Sequence, residues 1–403
     1  MANQALSDMK VIDLTQYIAG PACTKLLADY GADVIKIERL GVGDGTRRIG
    51  PFYHDEPHPE KSGLFLCLNT NKRGITLNLK SNLGKEIFSK LVKTADVVVE
   101  NFRPGVMDSL GFSYEALEQI NPNLVVTSIS NFGQTGPYRD YKLSELMALG
   151  MGGRMYALGD PDREPLKYGL TVSIYHAGAV AASATMFGFY GSRYQGVGQH
   201  IDVSIVETQA GSADGRINNL VRYQYSGSIT PRGSILGAQY PQGTYPCIDG
   251  YFRIASGGPR FARTVEMMGN PPELMDPKWY TPQAPGDAKL KEEFEAYFLA
   301  FTLQHTKAEL FEMGQGAGNI CAPLYTVDEV YEDPHFNNRG FFTEVDHPMT
   351  GPLKYPGRPF VMEKTPWQVR RPAPLLGQHN SEVYSELGYS KEDLVIMRQG
   401  GII

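Results

Sequence analysis

The strongest constraint on the fold is an alternation in the first 130 residues, where short apolar runs are separated by amphipathic stretches. Val11 to Leu14 predicts a buried strand, and Pro21 opens a helix that Gly31 ends. Val34 to Ile37 predicts the next strand. Gly74 to Lys80 (GITLNLK) alternates apolar and polar side chains, which predicts a half-exposed strand. Leu83, Ile87, Leu91 and Ala95 share one helical face, Val97 to Val99 is a short buried strand, and a helix capped by Ser113 leads to a strand over Leu124 to Ser130. Strand and helix in alternation imply a mostly parallel, Rossmann-like sheet with helices on its faces. The first turn reads TQYIAGP and lacks GxGxxG, so a dinucleotide site is not expected.

From about Asn218 the chain turns to Gly, Pro and aromatic residues, and the last 80 residues return to strand and turn signals. The expected organisation is an α/β large domain over residues 1–217, a smaller α+β domain over 218–325, and a segment 326–403 that returns to the large domain. A net charge of -6 speaks against nucleic-acid binding. The N-terminus lacks the apolar run of a signal peptide, and the weakly polar run Ala177 to Tyr190 is too short to span a membrane and predicts a buried helix. Four dispersed cysteines form no CxxC pair, so no metal site is expected and reduced thiols in the cytoplasm are.

Five stretches carry a family resemblance: GPACTKLLADYGADVIKIER (20–39), LNTNKRGITLNLKS (68–81), DVVVENFRPG (96–105), GQHIDVS (198–204) and APLLGQHNSEVYSELGYS (373–390), with YPCIDGYFRIA (245–255) as a weaker sixth. In this order they resemble the family III CoA-transferases, which include the formyl-CoA:oxalate and carnitine enzymes. The resemblance implies two chains interlocked as rings, with CoA or acyl-CoA as substrate, no tightly bound cofactor and no metal. It also implies catalysis by an aspartate that attacks the donor thioester and forms an acyl anhydride.

Carried over residue by residue, it implies CoA contacts at Arg39, Asn71, Lys72, Asn101, Phe102 and Lys142. One family arginine position is Ser109 here, with Arg103 nearby. Counting nine residues on from Pro165, or four back from Gly178, reaches the aspartate position, and it is Ile174. Ile18 stands where formyl-CoA transferase-like members carry a glutamine, and the small-domain Gly-rich loop is reduced to SGGPR (256–260). No catalytic residue is therefore assigned.

Ser173, Tyr175 and His176 flank the gap as substitute candidates. The racemase branch of the family does not fit, because the segment where its histidine is expected reads KLSELMAL and its aspartate also falls on Ile174. Some members of the family are built from two related but different chains, as in succinyl-CoA:benzylsuccinate CoA-transferase of aromatic hydrocarbon degradation. The expectation is a cytoplasmic, non-nucleophilic subunit working with a homologous chain that carries the aspartate, with succinyl-CoA as donor and benzylsuccinate or a related dicarboxylate as acceptor. The alternatives are a self-sufficient homodimeric transferase with another nucleophile, or a non-catalytic acyl-CoA-binding protein.

Overall fold

The structure is a computed structural model that describes residues 4–211, 216–229, 232 and 239–403. Residues 230–231 and 233–238, the start of the expected turn-rich stretch, lie outside the described residues. The chain divides into two compact units: Met1–Leu158 with Glu164–Pro231 and Gly340–Ile403, and Gly159–Arg163 with Arg232–Arg339. The boundaries read from the sequence are 217 and 325; the helix Arg216–Ser226 runs across the first of these.

The first unit is built on six parallel strands: β1 (Lys10–Asp13), β2 (Asp33–Glu38), β3 (Lys72–Thr76), β4 (Val97–Glu100), β5 (Val125–Ser130) and β6 (Gln199–Ser204). Their order is β3-β2-β1-β4-β5-β6, the doubly wound Rossmann order. Runs such as Val97, Val98 and Val99 are wholly buried, because helices cover both faces. One face packs Ile87, Phe88, Leu91 and Leu117 against Ile12, Ile75 and Val98. The other packs Cys23, Leu27, Ala177 and Ala181 against Val11, Val97 and Val125.

The 24-residue helix Val172–Gln195 extends well beyond the run Ala177 to Tyr190 seen in the sequence. It is long and apolar enough to cross a membrane by length and composition. Only one face is buried, through Ala177, Ala181, Thr185 and Phe189, while Phe187, Tyr190 and Tyr194 are exposed. Gly178 lets it approach the helix Ala19–Asp29 closely, since a Cβ there would lie 2.6 Å from the Ala19 carbonyl oxygen.

β3 departs from the expectation of a half-exposed strand over 74–80. It ends at Thr76, and all five of its residues are buried. The cause is the C-terminal segment, which lies along this edge. Asn71 N donates to the Arg371 carbonyl (3.0 Å), His379 N to the Gly74 carbonyl (2.9 Å), and Thr76 N to Asn380 Oδ1 (2.9 Å). An edge strand's free amides and carbonyls are thus satisfied by distant chain. A hairpin of β10 (Phe342–His347) and β11 (Gly351–Pro356) belongs to the same unit.

The second unit carries the antiparallel sheet β7 (Gln242–Cys247), β8 (Gly250–Ala255) and β9 (Cys321–Pro323). Phe252, Phe294, Phe298, Trp279 and Leu310 form its core. It is an α+β unit.

Candidate functional site

In an open parallel sheet, loops diverge at the carboxyl ends of the two strands where the chain reverses its winding direction, and ligands bind in the crevice between them. Here that point lies between β1 and β4, which pair in parallel. The two diverging loops are tied by one side chain: Asn101 Oδ1 accepts from Gln16 N and Asn101 Nδ2 donates to the Gln16 carbonyl, both at 2.8 Å. Two cavities open beside this tie.

The smaller, ≈ 650 Å³, is lined by loops that follow β1, β2, β3 and β4, among them Thr15, Arg39, Lys80, Phe102 and Ser109. Arg39 and Lys80 are exposed and place two cations on it. The larger, ≈ 880 Å³, is lined by Tyr17, Ile18, Asn101, Lys142, Glu145 and Ile174, among others. Phe102 lines both cavities and forms part of the wall between them. Ser109 lines both as well, with its hydroxyl turned to the Val106 carbonyl at 2.7 Å, and Arg103 lines the larger.

Four of the six residues expected at CoA are thus on the two cavities: Arg39, Asn101, Phe102 and Lys142. Asn71 and Lys72 are not, and the structure corrects both. Lys72 has no exposed surface, and its ammonium donates to Asp13 Oδ2 (3.0 Å), the Pro21 carbonyl (3.1 Å), Thr24 Oγ1 (2.8 Å) and Asn69 Oδ1 (2.9 Å). An ammonium has three protons, so these four oxygens leave it none for a phosphate.

Lys72 joins a buried ion cluster in which Lys36 pairs with Asp44 at 2.9 Å. Burial, with Lys36 nearby, pulls the Lys72 ammonium down to about 8. The Asp13 carboxyl, opposed by burial but flanked by Lys36 and Lys72, is held well below the carboxylate range.

Asn71 is in the left-handed region (φ 65°) and serves the same edge. It donates to Asp29 Oδ1 (2.7 Å) and the Gln368 carbonyl (2.8 Å) and accepts from Arg370 N (2.6 Å). The turn NTNKRG is therefore a buried fastening of β3, which residue type alone does not reveal.

Ile174 sits in the first turn of the helix Val172–Gln195, half-buried on the wall of the larger cavity. Sequence reasoning missed the carboxylate beside it. Glu145 accepts Ser173 N at 2.9 Å and Ile174 N at 3.2 Å, and takes the Ser173 hydroxyl as a third donor. It thereby occupies amides at the positive end of that helix. Its one sequence signal is the helix start Ser144-Glu145 inside KLSELMAL.

Ser173 is fully buried with its hydroxyl given to Glu145. His176 Nδ1 lies 3.2 Å from Gln209 Nε2, and the Tyr175 hydroxyl is pushed up by burial. Among the described residues no group of His, Cys, Asp and Glu is arranged to hold a metal ion. The four cysteines are free thiols.

Residues 6–380 match the sequence model of CoA-transferase family III. The chain belongs to that family. As a family III chain it is 34% identical over 404 residues to the succinyl-CoA–D-citramalate CoA-transferase of Chloroflexus aurantiacus, covering 99% of this chain and 98% of the relative. It is 34% identical over 422 residues to the formyl-CoA:oxalate CoA-transferase of Bradyrhizobium diazoefficiens, covering 99% and 97%. A solved CAIB/BAIF family protein from Brucella suis superposes with a TM-score of 0.85 at 31% identity, covering 96% of this chain and 100% of that one. The CoA-transferases of family III take CoA thioesters as substrates and move CoA between acyl-CoA and acid.

Proposed function

We propose that this chain is the non-nucleophilic subunit of a heteromeric CoA-transferase, which moves CoA from succinyl-CoA to benzylsuccinate or a related dicarboxylic acid. The observation that carries the reading is that Ile174 and Ile18, both aliphatic, line the larger cavity. An alkyl side chain can neither attack a thioester nor donate to an anhydride oxygen. The chemistry then falls to an aspartate of a homologous partner chain. Its carboxylate adds to the acyl carbonyl, the CoA thiolate leaves, and an anhydride remains. The acceptor acid's carboxylate attacks the anhydride and releases succinate, and the returning thiolate takes the new acyl group and frees the aspartate.

In this chain Arg39 and Lys80 are suited to the CoA phosphates on the smaller cavity, with Phe102 between them and the larger one. Lys142, expected at CoA, lines the larger cavity, where Arg103 and Arg139 add cations suited to an acid's carboxylate. A succinyl-CoA donor is also in keeping with the relative named succinyl-CoA–D-citramalate CoA-transferase. A cytoplasmic complex in aromatic hydrocarbon degradation goes with this reading.

One observation favours a second reading, turnover by this chain alone: Glu145 places a carboxylate on the same cavity, against the amide of Ile174. Thioester exchange between succinyl-CoA and a panel of dicarboxylic acids separates the two. Activity only when the chain is co-purified with its homologue, and lost when the homologue's aspartate is replaced by alanine, supports the first. Turnover by the chain alone, lost in Glu145→Gln, refutes it in favour of the second.

A further inference from the structure

The VENF stretch contains one titratable side chain that the site as described does not use. Glu100, a residue only 4% exposed, ends β4 next to the loop 101–105 that supplies Asn101, Phe102 and Arg103 to the cavities. Its Oε2 accepts Phe102 N at 2.7 Å. Its other neighbour is the Ser128 hydroxyl on β5, which in turn lies 2.9 Å from His200 Nε2 on β6.

These groups face a small hollow of ≈ 50 Å³ that Arg103, Asp108, Tyr114 and Gln134 also line. The Gln134 side-chain nitrogen is buried there without a hydrogen-bond partner. Asp202, beside His200 on β6, adds negative charge, and the Tyr114 ring stacks on His200 at 5.7 Å. Arg103 and Gly105, on the loop that Glu100 holds, line both this hollow and the larger cavity.

We propose that Glu100 is a positioning residue for acyl-CoA: through Phe102 N–H it fixes the loop 101–105 that walls both cavities, and its ionisation sets how firmly that loop is held. The consequence for ligand rests on the CoA-transferase reading; the hold on the loop does not. Burial, reinforced by Asp108 and Asp202, pushes the Glu100 carboxyl up to about 7 against the opposing bonds from Ser128 and Phe102. At pH 8 the acceptor for Phe102 N–H is an anion, and at pH 6 it is a neutral acid. Opening the loop returns the carboxyl to water, where its usual value is 4.5, so ionisation favours the open loop by about tenfold between pH 6 and pH 8.

The test is amide hydrogen exchange of the segment 101–105 at pH 6 and pH 8, corrected for intrinsic exchange. It is run on wild type, Glu100→Gln and His200→Gln, alongside CoA affinity by calorimetry at both pH values. Glutamine keeps an oxygen acceptor for Phe102 N–H but cannot ionise. Expected is about tenfold lower protection at pH 8 than at pH 6 in wild type and in His200→Gln, and no difference in Glu100→Gln, with CoA affinity following protection.

Equal protection in wild type at the two pH values overturns the proposal. So does a pH response that survives in Glu100→Gln, or one that His200→Gln abolishes. Should Glu100→Gln not fold, the wild-type and His200→Gln responses decide by themselves. Should protection switch as expected while CoA binds at neither pH, the transferase reading fails and the positioning role stands.

Discussion

Replacing Lys72 with methionine separates a lysine that holds the sheet from one that holds a phosphate. The Asp13 carboxylate has no exposed surface, and Lys72 is its direct ionic partner at 3.0 Å. Methionine fills a comparable volume but removes the charge. Asp13 keeps hydrogen bonds from Thr15 N (2.8 Å) and Thr24 Oγ1 (2.7 Å), with Lys36 as its remaining nearby cation. Three oxygens, on Pro21, Thr24 and Asn69, lose their donor.

Removing one partner of a buried pair costs about 3–5 kcal/mol, most of it the isolated charge. The assay is urea unfolding followed by tryptophan fluorescence and circular dichroism, with CoA affinity measured on the folded variant. At urea slopes of a few kcal/mol per molar, the midpoint should fall by about 1 M or more. Asp13→Asn in the same chain should recover part of the loss, because no uncompensated charge then remains. An unchanged midpoint together with a large loss of CoA affinity would refute the burial argument and return Lys72 to the ligand.

Gly178→Ala should cost about 1–3 kcal/mol in urea unfolding, because its Cβ would meet the Ala19 carbonyl oxygen at 2.6 Å and force the two helices apart. Glu100→Gln should flatten the pH dependence of stability. The Glu100 carboxyl in the fold is pushed up to about 7 from 4.5, so its contribution is complete below about 4.5 and is lost as pH rises through about 7. The wild type therefore loses about 3 kcal/mol relative to the variant between pH 4.5 and 8, read from urea midpoints at the two ends. Ile174→Asp puts a carboxylate in the first turn of the helix Val172–Gln195, on the larger cavity, and on the proposed non-nucleophilic role should raise the isolated chain's succinyl-CoA exchange above that of wild type.

Local patterning was enough to place most of the first unit. The strands at 11–14, 34–37, 97–99 and 124–130 are short apolar runs that helices cover on both sides. Their observed bounds, Lys10–Asp13, Asp33–Glu38, Val97–Glu100 and Val125–Ser130, differ from those readings by one or two residues. Phe102 is expected at a ligand because it follows a strand at the carboxyl edge, where the sheet leaves a crevice, and Arg39 only through the family resemblance; both line the smaller cavity. The pattern misled at 74–80, since alternation reports what a strand would expose if nothing covered its edge. The cover comes from residues some 300 positions later, Arg371, His379 and Asn380.

What the sequence determined by itself was the family, through ordered motifs that span the chain, the α/β architecture, and the presence of an isoleucine where the family's aspartate is expected. What only the tertiary structure decided was the direction of side chains. Lys72 turns inward to Asp13 while Arg39 stays on the cavity, although both are cations at strand termini. Glu145 reaches the amides of Ser173 and Ile174 from 28 and 29 residues away. Glu100 lies beside the loop whose next residues face the ligand cavities. Residue type limits which bonds a side chain can form. Which partners are within 3 Å, and whether water is excluded so that a charge must find one, depends on contacts between distant segments that no local pattern encodes.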